Sequence, residues 1–385
     1  VAVASNAGKE PLFEVEERVE LVREGLEELI PQISIIVGVV AGGQAYSPGL
    51  TDFILMTRSS SIYIAGPAFV QAQTGREISD EELGGAVMHA KVSGLVDIMR
   101  DNEEEIFQEA RNLLGLLPLS CHEQAPFRDS SDPPGRRADR LNHVVPEQSH
   151  KPFDMHEVIN PIFDDEKFFE LKPDFAKNMI TGFARLTGAV VGVVANQPKH
   201  LGGVIDIKAA EKGARFVRFC DAFNIPVITF QDSPAYLIGK EMEQEGMIYR
   251  GAKLLHAYAE ATVPKITVIV RKAYAGAYIA MGSQYIGADL VYAWPGAEIS
   301  SVAPNTAASI LFRKEMAEAP DEESIQTLFR DYHEKYVQPF RAASLRHIND
   351  IIEPTDTRPV LAQSLEILAG KREVRPARKH GNIPL

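Results

Sequence analysis

The sequence predicts an α/β protein with two matched halves, and three observations carry that prediction. The stretch "PQISIIVGVVAGGQAYSP" at 31–48 is echoed by "PKITVIVRKAYAGAYIAM" at 264–281. Between 189 and 270, strand-like apolar runs alternate with helical ones. The segment between the two copies, from Cys121 to Lys151, is polar and proline-containing, without helical or alternating period.

Each copy begins at Pro and passes through a β-branched run, Ile33 to Val40 or Ile266 to Val270. It then reaches small residues, Ala41-Gly42-Gly43 or Ala275-Gly276-Ala277, and soon a tyrosine, Tyr46 or Tyr278. A short apolar run bounded by Pro and Gly reads as a buried strand, and the small residues mark a turn or a close backbone approach. Each copy is therefore expected to be a strand, a glycine turn and a helix start.

Taken in order, the first half (1–120) offers "VAVASN" as a strand, an acidic amphipathic helix at 14 to 30, and the first glycine turn. "DFILMT" and "SIYIAG" follow as strands, then a charged helical stretch at 79 to 114 that Ser79 and Glu82 open as a capping box. Residues 121–151 read as a linker or long surface crossing. In the second half (152–385), "AVVGVVAN", "IPVITF" and "KITVIV" are strands separated by helices at 207 to 223 and 246 to 262. Ile207, Ala210, Ala214 and Val217 share one helical face, and crossovers of this length join parallel strands. The tail from 321 to 372 reads as helices broken near Pro339, ending in a basic stretch from Lys371 to His380.

Composition narrows the function. With 385 residues, 45% hydrophobic and 24% charged, the chain can bury a sizeable core as two domains or one large one. A net charge of −13 without a basic stripe argues against a nucleic-acid partner. Two cysteines, Cys121 and Cys220, make neither a disulfide framework nor a four-thiolate zinc site, and their scarcity suits a reducing compartment. No apolar run approaches the roughly 20 residues that span a bilayer. A cytoplasmic protein without metal or membrane is the expectation.

The usual catalytic signatures are missing: no GxSxG, HExxH, GxxxxGK[ST] or GxGxxG is present. The ten histidines are scattered, and His89 and His122 read more simply as structural or surface residues than as catalytic ones. What remains is the doubled turn. Backbone N–H groups at a strand-to-helix turn are fixed donors, able to stabilise an oxyanion or enolate without an ionisable side chain. For a single turn, glycines serving only helix–strand packing would be the simpler reading. Two matched turns favour two oxyanion holes, as carboxyl transfer from a carrier to an enolate requires, although other enolate chemistry fits the pattern too.

Several longer stretches resemble one family. "GARFVRFCDAFNIPVITF", "GAKLLHAYAEATVPK", "RKAYAGAY", "YAWPGAEI" and "RPARKHGNIPL", with "AGGQAYSPGLTDF", "EELGGAVMHAKVSG" and "NLLGLLPLS" in the first half, resemble the carboxyltransferase (β) subunit of biotin-dependent acyl-CoA carboxylases, the propionyl-CoA carboxylase group. The resemblance implies two crotonase-like halves of β-β-α superhelix and a ring-shaped homo-hexamer with active sites at dimer interfaces. It implies a biotin carboxylase and biotin carrier as partners, and transfer of the carboxyl group of carboxybiotin to the α-carbon of a short acyl-CoA. It places Gly42 and Gly43 on the thioester oxygen, and Gly276 and Ala277 on the carboxybiotin carbonyl. It assigns Ala45, Tyr46, Ser93, Gly94, Tyr278 and Ile279 to the substrate pocket, and Ala275, Val302 and Ala303 to the biotin side. The base would be the ureido nitrogen of biotin, so no side-chain base is expected.

The chain departs from the family in places. Ile279 stands where many relatives have Asp, making that pocket wall apolar. Ala275 replaces the first glycine of "GGAY", a change acceptable if its φ is negative. "DVPGF" becomes Asp232-Ser233-Pro234-Ala235-Tyr236, and "VMGAKGA" becomes the run from Val302 to Ala308, where Pro304 cannot donate a backbone hydrogen bond. The first half lacks most of the family's strands before the helix at 14 to 30. An acyl-CoA decarboxylase using the same holes in reverse, or a non-catalytic assembly subunit of the same fold, are the alternative readings.

Overall fold

The computed structural model of the chain describes residues 2–3, 29–319, 321–377 and 382–384. The helix expected at 14 to 30 lies outside the described residues except for its last two positions. Contacts divide the chain into two compact units: Val1–Phe127 with Phe169–Ala176 and Ala222–Asn224, and the remainder.

In the first unit, parallel strands β1 (Ala2–Val3), β2 (Ile33–Ile36), β4 (Phe53–Thr57) and β6 (Ile98–Arg100) form one sheet in the order β1-β2-β4-β6. Strands β3 (Val39–Ala41) and β5 (Ser61–Tyr63) form a second, two-stranded parallel sheet. The β-branched run of the first copy is thus two strands, which part at Gly38 to enter different sheets. Strands β2 and β4 are buried at every position, as runs covered on both faces must be. Ile36, Val40, Ile54, Met56, Ile62, Ala86, Ala90 and Val96 form the core between the sheets.

The stretch from 79 to 114 is not one helix. Ser79 caps it as expected, its Oγ accepting the Glu82 N–H at 3.1 Å, but the helical run α1 (Asp80–Gly84) stops at an extended Gly85. A Cβ on Gly84 would come within 2.3 Å of the Ile62 carbonyl oxygen, so glycine is required by packing against β5. Left-handed Gly94 (φ 71°) ends the next helical segment. After β6, α2 (Glu103–Leu114) restarts on an Asn102 cap and buries Ile106, Ala110 and Leu113, one stripe at helical spacing.

After β7 (Phe168–Leu171), the second unit builds a sheet in the order β14-β12-β11-β10-β9-β8. The strands are β8 (Met179–Leu186), β9 (Ala189–Asn196), β10 (Val227–Ser233), β11 (Lys265–Tyr274), β12 (Leu290–Ala293) and β14 (Asp350–Ile351). Strands β8 and β9 pair antiparallel, while β9, β10, β11, β12 and β14 run parallel. Helices α3 (Ile207–Ala222) and α4 (Met247–Glu260) make the crossovers, and α3 buries the predicted face of Ile207, Ala210, Ala214 and Val217. Beyond β12, β13 (Glu298–Ser300) pairs with the far end of β11. The tail breaks where Pro339 predicts: α7 (Glu322–Tyr336) ends and α8 (Pro339–Ser344) restarts with the proline in its first turn.

Residues 128–151 belong to the second unit, and Ala138 and Leu141 enter its core. Fully buried Arg358, on the closing helix Thr357–Leu368, holds this segment. It donates to the Asp132 carbonyl at 3.0 Å, the Ile162 carbonyl at 2.7 Å and Asp164 Oδ1 at 2.7 Å.

Candidate functional site: two strand-to-helix turns

Both echoed stretches end in the same backbone. In the first unit, Ala41 is extended (φ −138°, ψ 155°), Gly42 is left-handed (φ 70°), and a short helical segment Gly42–Ala45 begins. In the second, Tyr274 is extended (φ −116°, ψ 147°), Ala275 is left-handed (φ 51°), and helix α5 (Ala275–Ala280) begins. Backbone conformation therefore pairs Gly42 with Ala275, Gly43 with Gly276, Gln44 with Ala277, Ala45 with Tyr278 and Tyr46 with Ile279. The correspondence read from small residues alone, Ala41-Gly42-Gly43 with Ala275-Gly276-Ala277, is one residue out. Small residues flank the left-handed position on both sides in the first copy, so composition could not place it. The negative φ that would make Ala275 harmless is not found; its methyl sits where L-residues are strained.

Packing separates glycines that fill a space from glycines that leave one. A Cβ on Gly42 would have no atom within 4 Å, so its positive φ alone explains the residue. Gly276 has neither a positive φ nor crowding: the nearest atoms to an added Cβ are in the Tyr236 ring, at 3.5 and 3.9 Å, an ordinary contact. Gly94 is the opposite case, with φ 71° and the Phe175 ring 2.5 Å from where a Cβ would sit.

The second turn is braced from below. Arg271 and Asp232, 4% and 0% exposed, pair through Nη2–Oδ2 at 2.7 Å and Nε–Oδ1 at 3.3 Å. Asp232 Oδ1 also accepts the Lys272 N–H at 2.9 Å, and Arg271 Nη1 donates to the Lys151 carbonyl at 2.8 Å. Gln231 Nε2 donates to the Ala277 carbonyl at 3.1 Å. Tyr236, whose hydroxyl donates to the Gly251 carbonyl at 3.2 Å, lies under Gly276, and burial pushes its phenol up. Tyr278 is buried and donates to the His347 carbonyl at 3.0 Å.

Above the turn opens a cavity of 610 Å³. Ala275, Gly276, Tyr278 and Ile279 form one side, Ile299, Ser300 and Ser301 a second, and Tyr332, Tyr336, Arg341, Ala342 and Leu345 a third, with Tyr285 and His347 closing it. The Arg341 guanidinium lies over the Tyr336 ring, 5.2 Å from its centroid. No carboxylate lines the cavity among the described residues. The first three N–H groups of a helix have no intrahelical acceptor. The amides that open α5 are therefore donors beside a largely apolar space.

The first turn is framed more lightly. Ala45 packs on the core that holds Ala90, and Tyr46 is 52% exposed. Ser93 and Gly94 serve the loop they belong to. Ser93 Oγ lies 2.7 Å from His89 Nδ1, and His89 Nε2 lies 2.8 Å from the Ile62 carbonyl. That carbonyl can only accept, so Nε2 carries the proton and His89 has both ring nitrogens engaged, as its structural reading requires. Lys172, paired with Asp97 at 3.1 Å, donates to the Gly94 carbonyl.

The structure thus brings Ala275, Gly276, Tyr278 and Ile279 to one cavity. Ala277 is fully buried behind it. Val302 and Ala303 follow Ser301 on an exposed segment before α6 (Pro304–Leu311), and neither lines the cavity. Sequence reasoning missed Gln231, Arg271, Tyr332, Tyr336 and Arg341. The pairing of Arg271 with Asp232 had no local signal, since the two stand 39 positions apart.

Two α/β units built on parallel strands, each with a strand that runs into a left-handed residue and a helix start, match the fold of a crotonase-like carboxyltransferase. The carboxyl transferase domain matches residues 23–383, and the chain belongs to that family. It is 48% identical to the propionyl-CoA carboxylase carboxyltransferase subunit of Haloferax mediterranei, over 93% of this chain and 70% of that protein. It is equally 48% identical to the methylmalonyl-CoA decarboxylase subunit alpha of Veillonella parvula, over 93% of this chain and 69% of that protein. Among solved structures, the transcarboxylase 12S hexamer with methylmalonyl-CoA and methylmalonic acid bound matches with a TM-score of 0.91 and 42% identity, over 97% of this chain and 71% of that one.

Proposed function

We propose that the chain is the carboxyltransferase subunit of a biotin-dependent acyl-CoA carboxylase, with 1–120 and 152–385 as its two halves. It would move a carboxyl group from carboxybiotin on a carrier protein to the α-carbon of a short-chain acyl-CoA. The observation that carries the reading is Gly276. Neither its backbone nor its packing demands glycine, yet it faces the cavity at the start of α5. A residue without Cβ there keeps open the approach to the amides of Gly276 and Ala277.

A neutral urea ring fits these residues: the donors are uncharged and the walls are mostly aromatic and aliphatic. Carboxybiotin, when bound, supplies the carboxyl group and leaves a ureido nitrogen able to take the α-proton. Gly276 and Ala277 would hold the ring carbonyl with Ala275 beside them; Val302 and Ala303 do not line this cavity, and only the family resemblance puts them on that side. Gly42 and Gly43 hold the thioester oxygen as negative charge develops, and Ala45, Tyr46, Ser93, Gly94, Tyr278 and Ile279 shape the substrate space. Ile279, part of the cavity wall, gives it an apolar surface suited to an alkyl substituent. A hexamer that engages a biotin carboxylase and its carrier in the cytoplasm completes the proposal, supported by the hexameric assembly of the transcarboxylase relative.

The direct test mixes the full chain with carboxylated biotin carrier and acetyl-, propionyl- or butyryl-CoA. Carboxylated product with at least one acyl-CoA is expected; no transfer to any of them overturns the reading. The equal identity to a decarboxylase subunit favours a second direction, acyl-CoA decarboxylation. Copurification distinguishes the two: a biotin carboxylase supports the first, a membrane sodium-pumping subunit the second.

A further inference from the structure

The tyrosine that ends the strand before the second turn is tied to the helix that walls its cavity. Tyr274 donates its phenol proton to Glu298, and Glu298 Oε1 lies 3.4 Å from His333 Nε2. Tyr274 belongs to β11, Glu298 to β13 and His333 to α7. The cavity is walled by the same three parts of the fold: the turn that follows β11, the Ile299–Ser301 segment, and Tyr332 and Tyr336 of the helix. A second link lies one turn further on, where the Ile299 N–H donates to the Val337 carbonyl at 2.8 Å. Tyr274 and the Glu298 side chain are 5% and 13% exposed, whereas the His333 side chain is 41% exposed and open to solvent protons.

We infer that His333 is a positioning residue for the second turn: its bond to Glu298 holds α7 on β13 and so sets the width of the cavity into which Gly276 opens. This deepens the reading of that cavity as the biotin side and rests on it. The groups facing the pair are Tyr274 and Lys272 from β11 and Glu334 from α7 itself. Of the other helices packed on α7, Pro304–Leu311 has no titratable side chain, Arg313–Glu318 carries Arg313, Lys314, Glu315 and Glu318, all exposed, and α8 brings Arg341 over the Tyr336 ring.

The tie depends on pH. The hydrogen bond to Glu298 raises His333 above its ordinary 6.5, against the opposing effect of burial. Burial works to raise Glu298, but hydrogen bonds from His333 and Tyr274 and the Lys272 charge hold its carboxyl below the ordinary value. A raised histidine contributes fully below its ordinary value and loses the contribution as pH rises through the folded one. A neutral ring can still donate through Nε2–H but has lost its charge. The helix is therefore held more tightly in mild acid than in mild base.

Hydrogen exchange tests this on the assembled full-length protein without any ligand. After correction for the intrinsic pH effect, protection of amides in 322–337 should fall about 1.5–5-fold between about pH 6 and about pH 8.5, the range expected for losing one partly exposed charge pair. His333→Gln keeps a neutral donor and should show no such change; His333→Ala should exchange faster at both values. Glu298→Gln, which retains an acceptor for Tyr274, should match His333→Gln. A flat wild-type profile, or His333→Ala indistinguishable from wild type, overturns the inference.

A kinetic arm uses carboxylated carrier and propionyl-CoA. His333→Ala should raise KM for the carrier about 1.5–5-fold and by more than it raises the acyl-CoA KM, with kcat within about twofold. Equal rises in both KM values would show a general structural role and also overturn it. If exchange behaves as expected while the wild type transfers no carboxyl group, the tie stands and the assignment of the cavity falls.

Discussion

The two strand-to-helix turns share a backbone and differ in what holds it. The first leaves a three-residue strand, β3, in a two-stranded sheet, and its left-handed position is a glycine where an added Cβ would have no neighbour within 4 Å. The second leaves a ten-residue strand buried along almost all its length and puts an alanine in the same conformation. A strained residue persists where its surroundings over-determine it. The Arg271–Asp232 pair, the Gln231 bond to Ala277 and the Tyr236 ring supply that at the second turn. The first turn, lightly framed, relies on glycine. The same backbone conformation can thus rest on rigid packing in one unit and on backbone freedom in the other.

Breaking the brace should have the largest effect. Asp232→Asn leaves the Arg271 guanidinium buried without a counter-charge, a change that costs about 3–5 kcal/mol. Denaturant titration should show that loss. An unchanged midpoint would mean that the pair does not support the second turn. Gly276→Ala separates chemistry from stability. Space exists for the methyl, and replacing Gly within a helix contributes up to about 1 kcal/mol of stability, so the fold should hold or gain. Carboxyl transfer should nevertheless fall about 10²–10³-fold, as for loss of an oxyanion donor. Full activity would remove the amides of α5 from the reaction.

Much of this difference was hidden in the sequence, for physical reasons. β-branched runs that end in small residues identified both turns, because burial on two faces selects such residues. The face of α3 and the Ser79 cap were legible because helical period and capping are local. The left-handed position was not, since Ala41, Gly42 and Gly43 are all small and only φ tells them apart. Nor was the break at Gly84 and Gly85, where the deciding contact is a carbonyl from β5. The cavity's far wall was illegible for the same reason. Tyr332, Tyr336 and Arg341 meet Ala275 and Ile279 only after the chain has passed through β12 and β13.

The smallest effect is the sharpest test of the correspondence itself. If Gly42 and Ala275 are equivalent positions, exchanging their residue types must move stability in opposite directions. Ala275→Gly relieves a left-handed L-residue, about 1–2 kcal/mol, while the freer unfolded chain returns about 0.5–1 kcal/mol. A net gain of about 0.5–1 kcal/mol is expected. Gly42→Ala reverses both contributions and should lose about the same amount. Each variant can be compared with wild type by its denaturation midpoint under one set of conditions. Shifts of the same sign would show that the two positions are not equivalent, and the pairing of Gly43 with Gly276 would have to be redrawn with them.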